Sequence, residues 1–370
     1  MIETALPPHP APEDPMAEAL RLARLGDHRT SPNPMVGAVV VAGGRLVGSG
    51  YHERWGAAHA EVRALTDAGE LARGSTLHVT LEPCSHHGQT GPCVERILAA
   101  GVARVEVATL DPNPVVNGRG VSALRRAGVA VRVGCHAEEA RELISAFAVW
   151  VTTGRPQVTL KFAMSLDGKL ATTGGESRWI TGPESRRRAH LLRHQHDAVL
   201  VGSGTVLADD PELSTRLERP ARQPWRVVAD GRLRTPASAK VLRGGGRPTL
   251  VATSADAPRD ARAALEAAGA ELIELTAIDG HLDLRELARH LGAGGCTSLL
   301  VEGGSTLLGS CLAQGLVDRV AAFVAPVLVG GVGAPGAIGG AGVGQLADAV
   351  RLRRFTAEAL GADLLLSGAI

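Results

Sequence analysis

The stretch from His59 to Cys93 constrains this chain more than any other. It opens with His59-Ala60-Glu61 at the head of a segment with helical spacing and passes a strand-like run from Thr76 to Leu81. It closes on Glu82-Pro83-Cys84-Ser85-His86-His87-Gly88-Gln89-Thr90-Gly91-Pro92-Cys93. One imidazole and two thiols suit Zn²⁺ and leave a fourth tetrahedral position open, the mark of a catalytic rather than a structural site. The strand would deliver Cys84 just past its carboxyl end, where open α/β sheets carry function. Cys93 would begin a further helix, whose dipole favours a thiolate.

Glu61, two residues after His59, is close enough to reach a metal-bound water without replacing it. Zinc lowers the pKa of such a water to roughly 7. A neighbouring carboxyl can then carry protons between that water and a leaving amine, which is the equipment of a hydrolytic deaminase. A His-x-Glu string is common by itself, and two cysteines nine positions apart also fit buried thiols or a structural clip. The joint order of His-Ala-Glu, strand and Glu-Pro-Cys favours the catalytic zinc, although eight residues separate Cys84 and Cys93 where the general deaminase signature has two.

With 370 residues the chain has material for two domains. Its net charge is +1, and Arg186-Arg187-Arg188 is the one short block of like charge, so no nucleic-acid or membrane partner is expected. Five cysteines, Cys84, Cys93, Cys135, Cys296 and Cys311, are thinly spread and odd in number, which points to a reducing cytoplasm rather than a disulfide framework. Residues 1–15 are rich in proline and acidic groups and read as a disordered tail, not a signal peptide. No apolar run approaches the ~18 residues that would span a bilayer.

From Met16 onward the pattern alternates. Helical spacing at Met16–Asp27 precedes strands at Val36–Val41 and Leu46–Tyr51, joined by Gly43-Gly44. A helix follows at His59–Ala72, a strand at Leu77–Leu81 and a helix at Val94–Ala100. Further strands at Val105–Ala108 and Val129–Val133, with helices at Ser122–Ala127 and Ala137–Val151, complete a three-layer α/β/α domain over 16–151. Its sheet need not be wholly parallel, because its first two strands form a hairpin. After a linker at Thr152–Pro156, strands and helices alternate again from Val158 to Gln314, so a second α/β/α domain is expected over 156–370.

Two glycine strings in the second half bear on ligands. Val301-Glu302-Gly303-Gly304-Ser305-Thr306 lies between an expected strand and helix, where backbone N–H groups bind anions. A tight turn and a cofactor loop fit it equally well. Gly331-Val332-Gly333-Ala334-Pro335-Gly336 matches G-x-G-x-x-G literally, but no helix pattern follows it. His190 and His194 stand four apart without a third ligand, which suits a polar helix face better than a second metal.

Several strings together resemble a known family. Ser31-Pro32-Asn33-Pro34-Met35-Val36-Gly37, His59-Ala60-Glu61, Thr80 through Cys93 and Asp111-Pro112-Asn113-Pro114 look like the deaminase half of the bifunctional riboflavin-biosynthesis deaminase/reductases. The wider cysteine gap is that family's own pattern. Leu160 to Gly168, Ser177-Arg178-Trp179-Ile180-Thr181, Asp197 to Gly202, Thr205, Asp209-Asp210-Pro211 and Glu302-Gly303-Gly304 resemble its reductase half.

The resemblance implies a cytidine-deaminase-like domain followed by a dihydrofolate-reductase-like one. It implies two consecutive steps on a phosphorylated small-molecule pyrimidine: hydrolytic loss of an amino group, then NADPH-dependent reduction of the ribosyl group to ribityl. His59, Cys84 and Cys93 would hold Zn²⁺, with Glu61 catalytic. Ala163, Trp179, Thr205, Asp209 and the loop Gly304, Ser305, Thr306 match cofactor-contacting positions. Ser177, Arg193, Leu213, Arg216 and Glu302 match substrate-contacting ones, the two arginines being suited to a 5′-phosphate. A homodimer is implied as well. Gly91 stands where the family usually has proline, and Gly231 where a cofactor-contacting serine is often found.

One rival keeps the zinc chemistry but turns it on another nucleotide or a nucleic-acid base, with a second domain that binds nucleotide without reducing anything. A nucleic-acid deaminase wants stacking aromatics and a basic groove, and only 2% of these residues are aromatic. A second rival, a non-catalytic zinc-stapled binding protein, has no use for Glu61.

Overall fold

The computed structural model describes residues 9–86, 91–278 and 280–370. The chain divides into two compact units, Met1–Gly154 and Arg155–Ile370.

The first unit carries β1 (His9–Pro10), α1 (Pro15–Arg24), β2 (Gly37–Ala42), β3 (Arg45–Tyr51), α2 (Ala60–Ala68), β4 (Thr76–Leu81), α3 (Cys93–Ala100), β5 (Arg104–Thr109), α4 (Arg119–Arg126), β6 (Ala130–Val133), α5 (Ala137–Leu143) and α6 (Ser145–Thr153). Its sheet runs β1-β3-β2-β4-β5-β6, antiparallel as far as β4 and parallel from β4 to β6. Alternation along β2 separates the two helical layers. Ala38 and Val40 join a core with α2, α3 and α4, while Val39 joins Met16, Ala19 and Leu20 of α1 on the other face.

Glycines set the height of the helices over this sheet. A Cβ on Gly50 of β3 would lie 2.6 Å from Arg63 Cβ and 2.7 Å from Ala64 N, both on α2, and one on Gly48 would lie 2.3 Å from Ala64 O. Only glycine lets α2, which begins beside His59, pack this close.

The second unit carries β7 (Gln157–Ser165), α7 (Pro183–Gln195), β8 (Ala198–Gly202), α8 (Ser203–Asp209), β9 (Trp225–Ala229), β10 (Leu250–Ser254), α9 (Arg259–Ala267), β11 (Glu271–Leu275), the short pair β12 (Ala277–Ile278) and β13 (His281–Leu282), and α10 (Leu284–Ala293). It ends with β14 (Ser298–Val301), α11 (Ser305–Ala313), β15 (Arg319–Ala325), β16 (Arg353–Leu360) and β17 (Asp363–Ala369). The nine-stranded order is β11-β10-β9-β8-β14-β7-β15-β17-β16, parallel from β11 to β15 and antiparallel beyond. Here too the side chains alternate. Ala198 and Leu200 face the α10 and α11 layer, and Val199 and Val201 face the layer that includes α8 and α9.

Several expectations change. Residues 1–8 of the expected tail lie outside the described residues, but 9–15 are structured. His9 and Pro10 pair with Leu46 and Arg45, and the Asp14 carboxylate caps α1 by accepting from the Met16 and Ala17 amides at 3.1 and 3.0 Å. The single helix expected over 137–151 is two helices meeting at Ile144. His194 is buried rather than on a polar face, and its Nδ1 accepts the Arg222 amide at 3.0 Å, as His190 Nδ1 accepts that of Arg216 at 3.3 Å. The helix α8 and the strands β15, β16 and β17 were not anticipated. The seven residues of α8 are too short for periodicity, and β16 is exposed almost throughout, so it lacks an apolar alternation.

Candidate active sites

In the first unit three elements converge. His59 is the N-cap residue of α2, Cys84 follows the carboxyl end of β4, and Cys93 is the first residue of α3. The ligand atoms of these three lie within 4.8 Å of one another, the only such His/Cys/Asp/Glu group among the described residues. His59 Nδ1 is 3.1 Å from Cys93 Sγ and 3.7 Å from Cys84 Sγ. A tetrahedral zinc with the usual Zn–N and Zn–S bonds needs N···S separations of roughly 3.6 Å. The donor set and its spacing therefore fit zinc, with one position left for solvent or substrate.

The surroundings favour a thiolate at Cys84, while the hydrogen bond between the two sulfurs and then burial push the Cys93 thiol up. The Cys93 amide, at the start of α3, donates to Cys84 Sγ at 3.3 Å. A hydrogen bond from the Cys93 thiol, and then one from His59, hold the Cys84 thiol down at about 4. Glu61 lies in the first turn of α2, is buried, and has its carboxyl pushed up by that burial.

Two supports were not legible in the sequence. Glu82, of the Glu-Pro-Cys string, is buried and accepts the amides of Asp111, Gly118 and Val121 at 3.1, 2.9 and 3.0 Å, which ties the Asp111–Asn113 turn and the start of α4 to the Cys84 loop. Gly120 makes that approach possible, since a Cβ there would sit 2.0 Å from Pro83 O. His52 is buried with its ring 5.5 Å from that of His59, its Nδ1 3.2 Å from Ala58 O and its Nε2 3.2 Å from Asn33 Nδ2. It backs the ligand from behind. Residues 87–90 of the loop before Cys93 lie outside the described residues.

In the second unit a cavity of about 1240 Å³ opens along the carboxyl ends of the parallel strands. All seven residues expected to contact cofactor line it: Ala163, Trp179, Thr205, Asp209, Gly304, Ser305 and Thr306. So do Ser177 and Glu302 of the five expected to contact substrate. Arg193, Leu213 and Arg216 do not line it. Leu213 is 1% exposed and belongs to a core cluster, so its side chain is spent on packing. Arg216 is an exposed cation 3.9 Å from Glu212.

Arg193 is committed to Glu302. Its Nε and Nη2 donate to the two carboxylate oxygens at 2.6 and 2.9 Å, and its Nη1 donates to Ser214 O at 3.1 Å. Burial would raise the Glu302 carboxyl, but Arg193 and then Lys161 outweigh it and hold the group at about 2. Lys161, whose Nζ is 3.8 Å from Glu302 Oε2, also lines the cavity and was overlooked in the sequence. Its alternation within β7 gives the clue, since a lysine between Leu160 and Phe162 occupies an inward strand position.

The glycine string at 302–304 proves to be a strand-to-helix turn that also borders the cavity. Gly303 has φ +94°, a conformation that favours glycine, and Gly304 caps α11, whose N-terminal amides suit a pyrophosphate. Size, position at the strand ends and this helix terminus fit a dinucleotide.

Comparison with known proteins accounts for both units. Residues 11–109 match the cytidine and deoxycytidylate deaminase zinc-binding region, and residues 156–366 match the RibD C-terminal domain. The chain is 45% identical to the riboflavin biosynthesis protein RibD of Aquifex aeolicus over 352 residues, covering 95% of this chain and 96% of that protein. The chain belongs to the RibD family. The Escherichia coli RibD is 42% identical over 95% of this chain and 97% of its own length. Acinetobacter baumannii RibD superposes with a TM-score of 0.87 at 37% identity, covering 96% of this chain and 97% of that one. The Thermotoga maritima diaminohydroxyphosphoribosylaminopyrimidine deaminase/5-amino-6-(5-phosphoribosylamino)uracil reductase gives 0.84 at 35%, with 96% and 97% covered. As a RibD-family protein the chain is a bifunctional enzyme of riboflavin biosynthesis, a zinc deaminase joined to an NADPH-dependent reductase acting on small molecules. No helix of the described residues is long and apolar enough to cross a membrane.

Proposed function

We propose that the enzyme removes the 2-amino group of 2,5-diamino-6-(5-phosphoribosylamino)pyrimidin-4-one as ammonia and then reduces the ribosyl side chain of the product to ribityl. The reading is carried by the convergence of His59, Cys84 and Cys93 beside the buried carboxyl of Glu61, and the Thermotoga relative bears the two corresponding activities in its name. The working deaminase is assigned to 16–151 and the reductase to 156–370.

His59, Cys84 and Cys93 would hold the zinc, which would supply a water of lowered pKa. Glu61 would take the proton from the attacking water and return it to the departing amine, a shuttle that its raised carboxyl pKa suits. Backed by His52 and Asn33, the His59 ring keeps its orientation through the cycle.

NADPH supplies the hydride in the second step. Ala163, Trp179, Thr205, Asp209 and the Gly304–Thr306 loop, all lining the cavity, would hold it. Ser177, Arg193, Leu213, Arg216 and Glu302 form the substrate side: Glu302 and Ser177 within the cavity, Arg193 by fixing Glu302, and Leu213 and the exposed Arg216 as further contacts outside the cavity lining, Arg216 suited to the 5′-phosphate. Lys161 sets its half-buried Nζ 3.8 Å from Glu302 Oε2.

We assign the enzyme to the cytoplasm, consistent with five free cysteines, and expect a homodimer, which sedimentation would test. A two-stage assay tests the function: ammonia release from the diaminopyrimidinone followed by NADPH oxidation supports it. Ammonia with no NADPH oxidation overturns the second step, and no ammonia from zinc-loaded protein overturns the substrate.

A further inference from the structure

The cavity of the second unit has two chemically different ends. Lys161 of β7 and Glu302 just past the end of β14 form one. At the other, past the ends of β9 and β10, the lining is Gly231, Arg232, Arg234, Ser254 and the acid Asp256. In the order β9-β8-β14-β7 these ends are three strand spacings apart, about 14 Å. The α11 N-terminus lies between them, where a pyrophosphate would sit. A dinucleotide with its nicotinamide near Glu302 therefore places its adenosine ribose beside residues 231–234.

What stands there decides which ribose is accepted. A site for NADH offers an acid to the 2′-hydroxyl, and a site for NADPH offers cations to the 2′-phosphate. The acid closing β9 is Asp230, and it is withdrawn: it is 1% exposed and its Oδ2 accepts the Thr235 amide and hydroxyl, each at 2.7 Å. Arg234 is braced toward the cavity, its Nη2 donating to Ser203 Oγ at 2.8 Å while its Nε is 4.0 Å from Asp230 Oδ1. Arg232 is exposed and has no hydrogen bond or ion pair among the described residues.

We propose that Arg232 and Arg234 bind the 2′-phosphate of NADPH and make this reductase select NADPH over NADH. Two guanidinium groups present fork-shaped donor pairs that match a phosphate dianion. The assignment rests on reading the second unit as an NADPH-dependent reductase.

The test is equilibrium binding of NADP⁺, NAD⁺, 2′,5′-ADP and 5′-AMP to the full-length zinc-loaded protein by calorimetry. The wild type should bind NADP⁺ over NAD⁺, and 2′,5′-ADP over 5′-AMP, by at least tenfold. Arg232→Ala, which removes no hydrogen bond or ion pair among the described residues, and Arg232→Ala/Arg234→Ala should lose that discrimination while holding NAD⁺ within about twofold. Arg232→Lys should restore part of it. An unchanged preference for NADP⁺ in the double variant, or an equal loss of NADP⁺ and NAD⁺, overturns the assignment and leaves the reductase intact. If the wild type binds none of the four, the assignment and the reductase reading fall together.

Discussion

Arg193 and Glu302, 109 positions apart, meet through two parallel N–H···O bonds of 2.6 and 2.9 Å, with their side chains 13% and 6% exposed. The pair joins α7 to the end of β14 and fixes one carboxylate at the wall of the reductase cavity. Lys161 adds a second cation at 3.8 Å, so the cluster is net positive where an anionic substrate would enter.

Arg193→Ala strands that carboxylate with Lys161 alone. Removing one partner of a buried pair costs about 3–5 kcal/mol, so urea unfolding of the second unit should shift by this order. Ammonia release by the first unit should survive at urea concentrations that abolish NADPH oxidation.

The same pair sets an acid limit. Because the Glu302 carboxyl is held at about 2 against an ordinary 4.5, its stabilisation is present above pH 4.5 and disappears as pH falls through 2. Glu302→Gln should flatten unfolding free energy against pH within that window. An unaltered slope there would remove Glu302 as its source.

His196 makes a second window. Its Nδ1–H donates to Leu192 O at 2.7 Å and its Nε2 is 3.0 Å from Thr159 Oγ1, an arrangement of the neutral ring, and burial holds its pKa at about 4. Unfolding lets the ring take a proton at its ordinary 6.5, so stability falls as pH drops from 6.5 to 4, by at most about 3 kcal/mol. His196→Gln should remove most of that slope.

Glu61→Gln should keep zinc near one equivalent by metal analysis and lower ammonia release about 10²–10⁴-fold, the usual share of a proton shuttle. Cys84→Ser should lose both. Chelation of the wild type should stop ammonia release while deaminated intermediate is still reduced, because His59, Cys84 and Cys93 all lie in the first unit.

Gly50→Ala tests the scaffold beneath the deaminase site. The new methyl meets α2 at under 3 Å along backbone and Arg63 Cβ, and overpacking of this kind costs about 1–3 kcal/mol or more. Zinc affinity should fall with stability, since α2 begins beside His59 and bears Glu61.

The His59, Cys84 and Cys93 cluster, the two α/β units and most parallel strands were legible in the sequence, because each leaves a local mark: ligand spacing, period-two or period-3.6 apolarity, glycine at turns. The sequence did not reveal the antiparallel edge of β15, β17 and β16, whose outermost strand is solvent-exposed, or the capped residues 9–15. Tertiary structure alone decided the roles of Glu82, His52 and Lys161, and the pairing of Arg193 with Glu302. It also decided that Leu213 packs in a core. Those facts depend on which side chains meet across tens or hundreds of positions and on what burial does to their charge, and neither quantity has a period along the chain.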